Sequence, residues 1–211
     1  MERILLTNEN VEECAARAAE VLRAGGIVLY PTDTVYGLGV DAFSDSAVAT
    51  LYALKGREAL KPTHAIVSNM EMIEVCAEID ELSRNLIARY MPGPLTLVLN
   101  KKAGIVNGIA RDRSTIGLRI PNNAFCSAMT EAFGGPITTT SANRAGEAPL
   151  NSVGEILHRL GIEHVDFVVD AGVLPENLPS TVVDVSGGEA VILREGPISR
   201  TEIESVAYCL E

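Results

Sequence analysis

The chain has 211 residues, 47% of them hydrophobic, enough to bury a sizeable core as one domain or at most two small ones, and one is expected. With 17 Lys and Arg against 28 Asp and Glu, the formal net charge of -11 repels phosphate backbones, which argues against an extended nucleic-acid footprint and leaves room for a small basic pocket in an acidic surface. No stretch approaches the roughly 18 apolar residues of a spanning helix, and the short apolar run in Met1–Thr7 is no signal peptide, so a cytoplasmic chain with no membrane partner is expected.

Val11, Ala15, Ala18, Val21 and Leu22 share one helical face, predicting a helix over 10–24 that Gly25-Gly26 stops. Ile27 to Tyr30 then reads as a buried strand ended by Pro31. A second helix at 45–54 carries Val48, Leu51 and Tyr52, with Ser44 or Asp45 as its cap. Lys55 and Arg57 follow its end, where truncation should leave the fold intact. Further strands are expected at 64–67, 95–100, 115–120, 137–140, 165–170, 181–185 and 190–194, and helices at 70–78, 80–90, 122–133, 151–160 and 200–208. Ser152-Val153-Gly154-Glu155 fits a capping box, and 181–194 reads as an antiparallel hairpin around Gly187-Gly188. Short strands intermingled with helices predict an α/β domain around a mixed, twisted sheet.

Alternate residues of a strand share a face. Thr115 and Arg119 therefore point the same way, with Gly117 leaving room between them, and Thr139, Ser141 and Asn143 line one face if 137–143 is extended. By the same count Thr32, Thr34 and Tyr36 share another. Apolar helices packed on a sheet give no reason for such polar faces, whereas a concave cavity for a polar ligand does.

Each block has a plainer reading beside the functional one. Lys55-Gly56-Arg57 serves either as a helix C-terminus, with cations on the dipole, or as a phosphate site with Lys61 as a third cation. Pro31 to Gly37 is a strand exit or a ligand loop, and Ser141-Ala142-Asn143 a turn or a ligand contact. Arg119, between Leu118 and Ile120, is a pocket candidate, while Met70 and Met72 read as core and Asp166 and Asp170 as solvated strand ends. His64, His158 and His164 share no metal-ligand spacing, and Cys14, Cys76, Cys126 and Cys209 form no C-x-x-C pair, so no protein metal site is expected and the thiols read mostly as buried.

In their order along the chain, Pro31 to Leu38, the Lys55/Arg57 and Ser141/Asn143 pairs, Ser180-Thr181-Val182-Val183-Asp184 and Arg194-Glu195-Gly196 resemble the YrdC-like threonylcarbamoyl-AMP synthase family over about residues 25–196. The resemblance implies a single YrdC-like domain over 1–211, the short form without an extra C-terminal domain, whose twisted mixed sheet carries a concave polar cavity flanked by helices. It implies synthesis of L-threonylcarbamoyl-adenylate and pyrophosphate from L-threonine, bicarbonate and ATP, for threonylcarbamoyladenosine modification of tRNA. By position, Thr34, Arg119, Thr139 and Ser180 or Thr181 would face threonine, and Arg57, Lys61, Thr115, Ser141 and Arg194 would face ATP. Lys55 and Asn143 would complete the charged site, with Lys55, Arg57, Ser141 and Asn143 as its catalytic set. Some members carry a His where this chain has Ile66, and His64, on the same strand face, is the candidate substitute. Mg2+ would be held mainly by ATP, no protein nucleophile is needed, and the product would pass to the tRNA threonylcarbamoyl transferase machinery. Two other readings are a related carbamoyl-adenylate-forming enzyme using carbamoyl phosphate, and a module with weak double-stranded RNA or tRNA binding. The acidic charge and the 4% aromatic content count against the RNA-binding module.

Overall fold

The computed structural model describes residues 1–56, 63–144, 146–161 and 164–207. Their strands are β1 (Glu2–Leu5), β2 (Val28–Tyr30), β3 (Gly37–Gly39), β4 (His64–Ile66), β5 (Leu95–Asn100), β6 (Thr115–Arg119), β7 (Ile137–Ser141), β8 (Phe167–Asp170), β9 (Thr181–Asp184) and β10 (Val191–Arg194). They form one ten-stranded sheet in the order β1-β8-β2-β3-β7-β4-β6-β5-β9-β10. Pairs β1/β8, β8/β2, β4/β6 and β5/β9 are parallel and the rest antiparallel, which makes the sheet mixed. Around it lie α1 (Val11–Arg23), α2 (Asp45–Lys55), α3 (Met70–Cys76), α4 (Glu81–Tyr90), α5 (Ala124–Phe133), α6 (Val153–Leu160) and α7 (Arg200–Ala207), with a 3-10 turn at Gly108–Ala110.

Local chemistry sets the helix ends. Ser44 caps α2 by accepting from the Ala47 N–H, and Gly56, in the left-handed region at φ 58, ends it. Asp45, the other cap candidate, instead accepts from the Gly108 N–H at 2.7 Å and pairs with Arg111 at 2.9 Å, tying α2 to the 3-10 turn. Ser152 caps α6 as expected, but the Glu155 carboxylate closes the box on the Ser152 hydroxyl, at 2.8 Å.

Two strands fall outside the expected set. In β1, three of four residues are exposed and the strand is held by pairing with β8, 165 residues away in register (Glu2 opposite Phe167). Gly37–Gly39 looks like a turn in sequence, yet β3 is buried between β2 and β7, with the ring of Tyr30 packed where a Gly39 side chain would project.

The sheet has two unlike faces. On one, Leu29, Leu38, Ala65, Leu97, Leu118, Val168 and Val183 join the large apolar core. On the other, Val28, Tyr30, Ile66, Ile137, Phe167 and Val169 pack under α1 and α5 through Ala15, Ala18, Leu22, Phe125 and Met129. Helices α1 and α5 cover only part of that second face. By strand parity it continues through Thr139 on β7, His64 on β4, Gly117 and Arg119 on β6, Thr96 and Val98 on β5, and Val182 and Asp184 on β9, all of which line a cavity. Asp170, expected as a solvated strand end, is buried at 7% exposure and accepts from Arg3 and the Gly172 N–H. Cys14, Cys76 and Cys126 are buried free thiols, and Cys209 lies outside the described residues. Among the described residues, no helix is long and apolar enough to cross a membrane.

Candidate functional site

The cavity has a volume of about 360 Å³ and lies over the bare stretch of the sheet. One row of its floor runs Thr139–His64–Gly117–Val98–Asp184 across five strands, as the pairing register fixes. Two residues further along the strands, Arg119 stands opposite Ile66 on β4, and Thr96 opposite Val182. In the other direction lie Ser141 and Thr115. Gly117 is needed here because a Cβ would come within 2.9 Å of the His64 Cβ and within 3.8 Å of Thr96, inside the floor itself. The expected shared face of Thr115, Gly117 and Arg119 is thus what β6 presents.

Segment 31–36 departs from the parity argument. It is irregular rather than extended because the Thr32 hydroxyl folds it back, donating to the Val35 carbonyl at 2.7 Å and accepting from the Thr34 and Val35 N–H groups at 3.1 and 3.2 Å. Thr32 and Thr34 line the cavity, while the Tyr36 hydroxyl turns away to donate to the Gly172 carbonyl at 2.8 Å. Burial pushes the Tyr36 phenol up to about 12.

Arg119 is the most constrained charge in the site. Only 3% exposed, it donates from Nε to the Gly93 carbonyl at 3.0 Å, from Nη1 to Thr34 Oγ1 at 3.0 Å and from Nη2 to Asp33 Oδ1 at 2.5 Å. Asp33 Oδ2 in turn accepts from the Asn122 N–H at 3.1 Å. Thr34 Oγ1 and Thr32 Oγ1 are 3.0 Å apart, which ties the Arg119 contact to the turn at Thr32.

A second cation faces the first across a pair of hydroxyls. Arg194 donates from Nε and Nη2 to the Ser180 carbonyl at 3.0 and 2.8 Å and from Nη2 to Ser180 Oγ at 3.2 Å, and Ser180 Oγ meets Thr96 Oγ1 at 2.8 Å. Burial, and then the positive charge of Arg119, pull the Arg194 guanidinium below its ordinary value. Two guanidiniums that feel each other inside one cavity make a focus of positive potential suited to an anion. Gly196 lets the 194–196 turn close on this corner, since a Cβ there would lie 2.3 Å from the Pro179 carbonyl oxygen.

Of the residues expected at the site, Thr34, Thr115, Arg119, Thr139, Ser141, Ser180 and Arg194 line the cavity. Thr181 does not: its hydroxyl donates to the Ile198 carbonyl and accepts from the Gly196 and Ile198 N–H groups, so Ser180 is the member of that pair turned to the cavity. Lys55 is the last residue of α2, 3% exposed, with its ammonium bonded to the Ser141 carbonyl rather than standing free of the helix end. Asn143 is past the end of β7, off the expected strand face, and donates to the Arg144 and Glu147 carbonyls at 2.9 and 2.7 Å. Arg57 and Lys61 lie outside the described residues. Ile66 sits in the apolar cluster under α1 and α5, while His64 lines the cavity. Thr63, Thr96 and Arg113 also line the cavity, and Asp33 reaches it through Arg119, four residues outside the expected site set. Thr96 carried the same signal as Arg119, a polar residue inside an apolar strand. Among the described residues, the buried Thr63 hydroxyl and Asn143 Oδ1 have no hydrogen-bond partner.

The family profile described as telomere recombination, Sua5/YciO/YrdC, matches residues 20–196. A protein of Methanocaldococcus jannaschii is 34% identical over 211 residues, covering 98% of both chains. A Pyrococcus abyssi protein named threonylcarbamoyl-AMP synthase is 34% identical over 205 residues, 96% of this chain and 60% of its own length. The crystal structure of P. abyssi Sua5 complexed with L-threonine superposes with a TM-score of 0.88 at 32% identity, covering 97% of this chain and 60% of that one. The chain belongs to the Sua5/YciO/YrdC family.

Proposed function

We propose that this member of the Sua5/YciO/YrdC family is an L-threonylcarbamoyladenylate synthase, joining L-threonine, bicarbonate and ATP into threonylcarbamoyl-AMP with release of pyrophosphate. The observation that carries the reading is the pairing of Arg119 and Arg194 in one cavity with Thr34, Thr139, Ser141 and Ser180, residues drawn from blocks as far apart as 34 and 194. A small substrate with a carboxylate and a polyphosphate suits that cavity. The relatives named above support the same activity.

In this reading threonine lies at the Arg119 end, its carboxylate on the guanidinium and its hydroxyl and amine among Thr34, Thr139 and Ser180. ATP takes the Thr115, Ser141 and Arg194 end, with Arg57, Lys61 and Lys55 completing the phosphate contacts and Asn143 beside them. The threonine amine adds to bicarbonate to give a carbamate and water. A carbamate oxygen then attacks the α-phosphorus, and pyrophosphate leaves. The protein's part is orientation and charge stabilisation, with no protein nucleophile. Among the described residues, no group of three or more His, Cys, Asp or Glu could hold a metal ion, and Asp184 is the one carboxylate lining the cavity, with Oδ1 engaged by Ser186. In this reading magnesium enters with the ATP phosphates. The product is an activated carbamoyl group, so a transferase that delivers it to tRNA is the partner the chemistry calls for.

The test is incubation of the purified protein with ATP, bicarbonate, magnesium and threonine, with mass detection of threonylcarbamoyl-AMP and a separate pyrophosphate assay. Threonine-dependent formation of both products is expected. Pyrophosphate release that needs carbamoyl phosphate and ignores threonine would overturn the reading.

A further inference from the structure

Asp33 lies outside the cavity lining, yet it determines what the lining offers. Its carboxylate takes the shortest of the three Arg119 bonds, 2.5 Å against 3.0 and 3.0 Å, and is itself held by the Asn122 N–H at the start of the turn into α5. Arg119 and Asp33 side chains are only 4% and 13% exposed, so water does little to screen the pair. A guanidinium has five N–H donors. With one used from each of Nε, Nη1 and Nη2, one donor remains on each terminal nitrogen, the arrangement that suits a second carboxylate.

The neighbourhood explains why an anchor is needed. Arg194 is close enough to feel the charge of Arg119. Without a counter-charge, two guanidiniums lining one cavity repel each other. The Thr34 hydroxyl and the Gly93 carbonyl are neutral acceptors and supply no such compensation.

We infer that Asp33 is a positioning residue for the amino-acid substrate, holding Arg119 against Arg194 so that its remaining terminal N–H groups face the substrate carboxylate. This rests on the reading that threonine occupies the Arg119 end. Asp33 touches no substrate in this scheme and acts through Arg119 alone.

The experiment compares wild type with Asp33→Asn, which removes the charge at nearly constant shape, and Asp33→Glu, which keeps the charge one methylene further out. Threonine and threoninamide, which lacks the carboxylate, are titrated calorimetrically, and KM is measured for threonine and for ATP. Asp33→Asn should raise the threonine KM about tenfold, the order expected for losing a charge-assisted hydrogen bond, while moving the ATP KM less than about threefold. It should also shrink the preference for threonine over threoninamide, a ratio that a general loss of stability would leave alone. Asp33→Glu should recover part of that preference. A folded Asp33→Asn protein with the wild-type ratio, or one that binds threonine more tightly because a competing carboxylate is gone, overturns the inference. If Asp33→Asn does not fold, a wild-type ratio in a folded Asp33→Ala protein does the same. Wild type that binds no threonine defeats the proposed function instead, which separates the two failures.

Discussion

Arg119 bonds three acceptors on two loops, Asp33 and Thr34 on one and Gly93 on the other, and a lysine ammonium cannot reach all three from a single point. Arg119→Lys should therefore raise the threonine KM by about ten- to a hundredfold, the loss of one to two charge-assisted hydrogen bonds. Steady-state rates with threonine and ATP varied separately check it, and a rise confined to ATP would move Arg119 to the nucleotide. Its place in the cavity was legible because a lone cation inside Thr115-Ile116-Gly117-Leu118-Arg119 has no apolar reason to be there. Its partner Asp33 was not, since nothing local in Pro31-Thr32-Asp33 says that the carboxylate bends towards a residue 86 positions away. Lys55 corrects a different expectation. Buried and bonded to the Ser141 carbonyl, it joins α2 to β7, so Lys55→Ala should cost stability as well as synthesis. The Ser141 carbonyl keeps the Asn143 N–H at 2.9 Å, so the loss is that of one charge-assisted hydrogen bond, about 1.5 to 3 kcal/mol, or roughly a 3 to 12 °C fall in Tm for a chain of this size, measurable by thermal denaturation. An unchanged Tm would return Lys55 to the solvent-facing helix end that its sequence position suggests.

Among the elements, β9 and the 194–196 turn show how neighbours in sequence divide structural and ligand-facing work. Thr181 uses its hydroxyl three times on backbone, while Ser180, one residue earlier, turns its hydroxyl to Thr96 and Arg194 in the cavity. Thr181→Val keeps the shape and removes all three bonds, so it should destabilise the fold by about 2 to 4 kcal/mol through unsatisfied buried backbone groups. Ser180→Ala strands only the Thr96 hydroxyl, so it should cost about 1 to 2 kcal/mol, less than Thr181→Val, and raise the threonine KM several-fold. Denaturant melts beside steady-state kinetics separate them, and the reverse pattern would exchange the two roles. Element existence was readable wherever a period was long: α1, α4, α6 and the β9/β10 hairpin stand within two residues of their expected limits. The parity count worked on β6 and β7 because they are strands. It failed at Tyr36 because the Thr32 hydroxyl turns the backbone first, and at Asn143 because β7 ends at Ser141.

For the whole molecule, the strand order was beyond local reading, since β1 lies beside β8 and β7 between β3 and β4, pairings that no neighbouring residues specify. Polar positions could still be recognised before their convergence was known, because each strand contributes to the cavity by parity alone. What the bulk charge adds is a field. The chain as a whole carries a formal -11, while Arg113, Arg119 and Arg194 line the cavity, so an anionic nucleotide is repelled at long range and attracted at short range. The Debye length falls from about 30 Å at 0.01 M salt to about 8 Å at 0.15 M. Added salt over that interval therefore screens the distant acidic surface before it weakens contacts inside the cavity. The kcat/KM for ATP should hold steady or rise by up to about threefold across it, within the range of electrostatic effects on association. A nucleic-acid binder behaves in the opposite way, losing affinity steeply as counterions compete for each phosphate contact. Rates measured at constant magnesium across this salt range decide between them. A fall of tenfold or more in kcat/KM would mean that the cationic cavity extends over a surface wide enough to outweigh the net charge, which would reopen the RNA-binding reading.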